Sequence, residues 1–168
     1  IAVAKSTQQG AVAMFKFLVS VVFLIILPIQ SQAADTLQDI EQKFQGDFEL
    51  VSYFQFPEQG DPIDMNYVGR LSYDAFGNMA GLGMPRDLPE RNQATEERVT
   101  GGFGYWGKVS FDLENNLVIH HVEGSPMVPE WVGGDNIRHF EFSDGLLKLS
   151  LKNSEGRTTG TLSWRKLD

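Results

Sequence analysis

Between Leu146 and Lys152 the chain alternates without a fault: Leu147, Leu149 and Leu151 on one side, Lys148, Ser150 and Lys152 on the other. A period of two places every apolar residue of a strand on one face, whereas on a helix it would scatter them around the axis. The same period runs through Asp47 to Phe56, with Phe48, Leu50, Ser52 and Phe54 on one side and Glu49, Val51, Tyr53 and Gln55 on the other. Strands are predicted again over Val68 to Tyr73, Asn78 to Leu82, Tyr105 to Asp112, Leu117 to Glu123, Asn136 to Phe142 and Thr158 to Lys166. Such half-buried strands cannot satisfy themselves singly, so the pattern demands a sheet closed or stacked on itself.

The connections agree with an antiparallel order. Asp74-Ala75-Phe76-Gly77, Leu113-Glu114-Asn115-Asn116, Ser143-Asp144-Gly145 and Asn153-Ser154-Glu155-Gly156 are hairpin turns, and Gln59-Gly60-Asp61-Pro62 is a further turn signal. Ahead of them, Leu37, Ile40 and Phe44 share one helical face, with Thr36 as N-cap and Gly46 as the stop. The longer polar stretch Gly83 to Arg98, where Thr95-Glu96-Glu97 suits a helix start, is a candidate lid. About eight strands joined mostly by short turns predict an all-β, up-and-down antiparallel barrel with a short N-terminal helix. A two-sheet sandwich is the alternative architecture.

The first residues have a different character. Met14, Phe15 and Lys16 precede an apolar run from Phe17 to Leu27, broken at Pro28, and Ser31-Gln32-Ala33 supplies a small-residue cleavage signal. This predicts a signal peptide over 14–33, upstream sequence over 1–13 and a mature domain over 34–168, exported to the periplasm or the medium. The rival reading, a membrane anchor, asks for about 20 apolar residues, more than this run holds. The mature domain carries 12 basic and 22 acidic residues, a net charge of −10. That charge argues against nucleic acid and anionic membrane surfaces as partners. The absence of cysteine excludes disulfides, thiol catalysis and thiolate metal sites.

An ordered set of short motifs carries a resemblance. It comprises Gly46-x-Phe-Glu-Leu-Val-Ser, Gly69-Arg70-Leu71-Ser72-Tyr73-Asp74-x-x-Gly77, Tyr105-Trp106-Gly107-Lys108-Val109 and Val118 to Ser125. Pro129-Glu130-Trp131-Val132-Gly133-Gly134, Arg138, Asp144 to Leu149 and Trp164-Arg165 complete it. Together these resemble the bacterial and fungal lipocalin-like domain family across nearly the whole mature chain. The resemblance implies a calycin-type barrel and little chemistry. One departure is Gly46-Asp47-Phe48, where lipocalin-type first strands open Gly-x-Trp.

The expected function is to hold a small hydrophobic or amphipathic molecule inside the barrel, with no cofactor and no metal. His120 shares a face with Val118 and Val122, and Arg138 with Phe140 and Phe142, so both are expected inside. There they are candidates to bind a carboxylate or enolate oxygen, each alternatively being satisfied within the barrel wall. Tyr105, Phe140, Trp131 and Trp164 are expected to line the same interior, Trp131 as a cap over the mouth or a plug. Trp106, Tyr53, Tyr73 and the other phenylalanines are further candidates, with core packing as their alternative role. The alternative is an isomerase, cyclase or hydratase using His120 as acid/base and Arg138 as oxyanion partner. His121, Glu123 and His139 are read as outer-face polar residues rather than metal ligands. Gly102-Phe103-Gly104-Tyr105-Trp106-Gly107 matches a dinucleotide fingerprint, but no strand leads into it and a strand comes after it, so its glycines are expected to bend a strand at the rim. No serine sits at a spacing that suggests a histidine partner, and no nucleophile elbow is present.

Overall fold

The computed structural model describes residues 1–2, 35–87 and 101–167. The expected signal peptide, the upstream stretch and most of the candidate lid therefore lie outside the described residues. Helix α1 (Leu37–Phe44) is opened by a capping box: Thr36 Oγ1 accepts from the Asp39 amide at 3.2 Å, and Asp39 Oδ2 accepts from the Thr36 amide at 2.9 Å. Of its predicted face, Ile40 and Phe44 are buried, whereas Leu37 is half exposed at the first turn.

The helix leads into nine strands: β1 (Gly46–Gln55), β2 (Ile63–Asp64), β3 (Tyr67–Tyr73), β4 (Asn78–Pro85), β5 (Phe103–Asp112), β6 (Leu117–Gly124), β7 (Asp135–Ser143), β8 (Leu146–Lys152) and β9 (Thr158–Lys166). Neighbours pair antiparallel from β3 through β9, and β1 pairs with both β3 and β9, which closes eight strands into a barrel. Closure leaves no unpaired edge along the wall, the general solution to the edge-strand problem. The stacked-sheet alternative is thereby set aside. β2 carries no sequence signal because two residues have no period; it pairs only with Phe54 and Gln55 of β1.

One break in the alternation matters for the site. Strand β1 slips register against β9 between Leu50 and Ser52, so Val51 is an extra, exposed residue. A bulge reverses the parity of the residues beyond it. Phe48 and Leu50 point inward, and Tyr53, which unbroken alternation sets on the side opposite theirs, turns in with them. A second bulge lies between Trp106 and Gly107, within the glycine-rich run expected to bend. A Cβ on Gly107 would stand 1.9 Å from the His121 carbonyl oxygen, so only glycine fits there.

The two barrel ends differ. At one, α1 inserts Phe44, whose ring makes edge contacts with Tyr73, Phe111, Phe140 and Phe142 at centroid distances of 4.8–5.3 Å. Phe48, standing where the resemblance expects an indole, is 2% exposed and meets Tyr73 edge-on. The helix makes up the volume that the smaller ring does not fill. Among the described residues, the other end carries the connections between β1 and β3, between β6 and β7, and between β8 and β9.

Candidate functional site in the barrel interior

Toward that second end the interior is hollow. A cavity of about 120 Å³ is walled by Leu149 and Leu151 of β8, Leu162 and Trp164 of β9, Leu71 of β3 and Gly81 of β4. Phe103 and Tyr105 of β5, Tyr53 of β1, Arg138 of β7 and Trp131 complete it. Trp131 belongs to a one-turn 3-10 helix, Pro129–Trp131, and its indole lies edge-on to Tyr105 at 5.4 Å. Of the two roles expected for Trp131, the rim cap is the one its position matches. Wider hollows occur near α1, for example the one bounded by Asp35, Lys43 and Phe140, next to the helix that packs the opposite end.

His120 stands behind this cavity. It is 1% exposed, with Nε2 2.9 Å from the Tyr73 hydroxyl and Nδ1 2.8 Å from the Tyr105 hydroxyl. Burial, reinforced by the positive charges of Arg138 and His121, pushes its pKa down to about 3, so the ring is neutral. Burial likewise raises the pKa of Tyr73 and of Tyr105, which both keep their protons. A neutral imidazole has one N–H and one acceptor nitrogen, so one tyrosine donates to it and the other accepts.

The arrangement selects the tautomer. Among the described residues, the buried Tyr73 hydroxyl has no hydrogen-bond partner other than His120 Nε2. Its proton must therefore go to Nε2, since an unsatisfied buried donor costs about 1–3 kcal/mol. Nδ1 then carries the imidazole hydrogen and donates to Tyr105, whose own proton is left free. The chain runs Tyr73 to His120 to Tyr105, and ends with an unclaimed donor in the cavity wall.

Arg138 flanks that end. It lines the cavity and lies close enough to Tyr105 to favour the tyrosinate, though not enough to outweigh burial. Its Nη1 donates to the Ile137 carbonyl at 2.8 Å, and among the described residues no carboxylate is within ion-pair distance of it. Trp164 is 2% exposed, and its indole N–H is buried without an acceptor among the described residues.

Of the residues expected to line the interior, Tyr105, Arg138, Trp131 and Trp164 converge on one cavity. His120 is one layer removed behind Tyr105, and Phe140 belongs to the packed end beneath α1. Of the further aromatics that could line a pocket, Tyr53 and Phe103 do line this one, and Tyr73 stands behind it against His120. Tyr73 can be placed from the parity of β3, but the bulge that turns Tyr53 inward has no local sequence signal. Trp106 is half exposed outside the barrel, covering Gly124.

One expectation is overturned on the outer face. Ser110 Oγ lies 2.8 Å from His121 Nε2, and His121 Nδ1 lies 2.7 Å from Asp135 Oδ1. The serine has its histidine partner after all, because pairing of β5 with β6 and of β6 with β7 brings together residues 11 and 14 positions apart. With the His121 and Asp135 side chains 43% and 53% exposed, the trio sits in solvent and ties three strands together. Among the described residues no cluster suited to a metal ion occurs, and Glu123 and His139 do not join His121.

Among known proteins, the family profile described as a lipocalin-like domain matches residues 45–167. A lipocalin-like protein from Bacteroides uniformis is similar at 15% identity, covering 74% of this chain and 98% of its own, with a TM-score of 0.43. An uncharacterized protein from Bacteroides eggerthii is similar at 14% identity, covering 74% of this chain and 99% of its own, with a TM-score of 0.42. No curated protein matches the chain.

Proposed function

The chain belongs to the lipocalin-like domain family, and from that premise we propose that it is an exported binding protein. Its guest is a small, largely apolar molecule with a polar or anionic group, held inside the barrel. The observation that carries this reading is the cavity in the barrel interior: aromatic and leucine walls with, among the described residues, a single cation, Arg138, set among them. Binding pockets combine apolar walls with a few placed polar groups in this way. Export rests on the leader read at residues 14–33.

The enzymatic alternative draws less support. A general base works best with a pKa near the working pH and a nitrogen facing its substrate. His120 has a pKa of about 3, and both its nitrogens are engaged by tyrosines.

Native mass spectrometry of the protein purified from its own host tests the proposal. The expected spectrum shows a chain beginning at Ala34 with an additional small mass, and that mass is lost when Leu149→Trp fills the cavity. A chain beginning at Met14 would contradict export. A bare protein mass that stays bare when small apolar compounds are added would contradict binding.

A further inference from the structure

Every polar side chain on the cavity wall presents a hydrogen to the interior, and this has a consequence for the guest. The Tyr105 oxygen accepts from His120, so its own proton is available. The Tyr53 hydroxyl, on the same wall, accepts from Gln55 Nε2 at 3.1 Å and also keeps a proton to give. Arg138 is donor only, positively charged, and has no carboxylate partner among the described residues. No carboxylate or side-chain amide lines the cavity among the described residues. A ligand ammonium would meet the Arg138 charge and find no carboxylate on the wall, and a ligand hydroxyl would gain no charge-assisted bond beyond Arg138, whereas an anionic oxygen meets a cation and two hydroxyl donors.

Size narrows the class. The space is about 120 Å³, and an apolar void of roughly 150 Å³ takes up benzene. The interior therefore suits one ring or a short branched chain and is too small to enclose a long acyl tail. Trp131 and Phe103 supply the aromatic faces beside Tyr105, at centroid distances of 5.4 and 6.2 Å.

We propose that the barrel selects a compact aryl or short-chain carboxylate, its oxygens taken by Arg138 and the Tyr105 hydroxyl, with Tyr73 and His120 as positioning residues that fix the direction of the Tyr105 proton. This rests on the cavity being a binding site. It adds the chemistry of the head group and a reason for a buried histidine between two tyrosines. The relay acts by orientation alone: Tyr73 spends its proton on Nε2, Nδ1 spends its hydrogen on Tyr105, and Tyr105 is left able only to give.

Binding of three probes of matched skeleton, phenylacetate, 2-phenylethanol and 2-phenylethylamine, to the purified protein tests this. Phenylacetate is expected to bind about tenfold or more tighter than the alcohol, as suits hydrogen bonds to a charged group, with the amine weakest. The preference should shrink to within about threefold in Arg138→Gln and fall in Tyr105→Phe. Equal binding of all three probes would overturn the head-group inference while leaving the cavity a binding site. Tightest binding of the amine would overturn the inference by inverting the polarity. Binding of none would overturn the inference, and if Leu149→Trp also changed no co-purified mass, the binding reading would fall with it. Nitrogen-15 spectra of His120 give an independent readout that does not depend on the variants folding. A hydrogen on Nδ1 is the expected result, and one on Nε2 would reverse the relay and overturn the proposal.

Discussion

His120 occupies a position where a charge would be costly and a missing hydrogen bond almost as costly, and two tyrosines meet both demands. Its depressed pKa has a consequence for stability. In the unfolded chain the imidazole takes a proton below pH 6.5, whereas in the barrel it stays neutral down to about pH 3. The unfolded state then binds more protons, so this residue's contribution is full above pH 6.5 and is lost as pH falls toward 3. The slope approaches about 1.4 kcal/mol per pH unit in that window. Urea unfolding at several pH values checks this by comparing the wild type with His120→Gln. The wild type is expected to lose stability faster below pH 6.5, with the two profiles running parallel above it; parallel profiles throughout would contradict the assignment. His120 and Arg138 were legible as interior residues because alternation along β6 and β7 places them with Val118, Val122 and Phe140. Which of the two faces the cavity was not legible, because that depends on Tyr73 and Tyr105, 47 and 15 residues away in sequence.

At the scale of elements, most of the architecture obeys local rules. Turns announce themselves where the backbone needs a positive φ: Asp144 and Gly145 adopt 57° and 74°, and Ser143 pairs with Leu146 across them. This is the two-residue hairpin whose twist suits flanking strands. The bulge in β1 is the counterexample. Nothing about Leu50-Val51-Ser52 marks an extra residue, because the slip is set by pairing with Trp164 and Ser163 of β9, more than a hundred positions away. Alternation alone therefore sets Tyr53 opposite Phe48, where the bulge puts both on one side. Helix α1 is local in origin but global in effect, since Phe44 is the plug of one barrel end. Thr36→Ala removes the capping box and is expected to cost about 1 kcal/mol. Phe44→Ala empties the contact with four aromatic rings and should cost about 3–5 kcal/mol. Chemical denaturation distinguishes the two; a Phe44→Ala loss no larger than that of the cap would show that the helix merely leans on the barrel.

At the scale of the molecule, two unlike ends give the barrel its direction. A solid end, packed with rings around α1, stiffens the wall and supports the buried Tyr73–His120 pair. The hollow end carries Trp131 at its rim and Arg138 within. Strand number and turn length favoured a barrel without excluding a two-sheet stack, since closure depends on β1 pairing with β9 across the whole domain. Room inside was expected from the fold, but its extent was not legible, because alternation reports which side chains point inward and is silent on whether they meet. Three indoles now make that hollow observable one residue at a time: Trp131 and Trp164 line it, whereas Trp106 stands half exposed on the outside. Two-dimensional nitrogen–proton spectra during a titration with phenylacetate separate the three indole signals. The guest-in-barrel account predicts that the Trp131 and Trp164 signals shift together along one saturating curve while Trp106 stays in place. A saturating shift of Trp106 alone, or no shift in any indole at concentrations where binding is seen by other means, would contradict it.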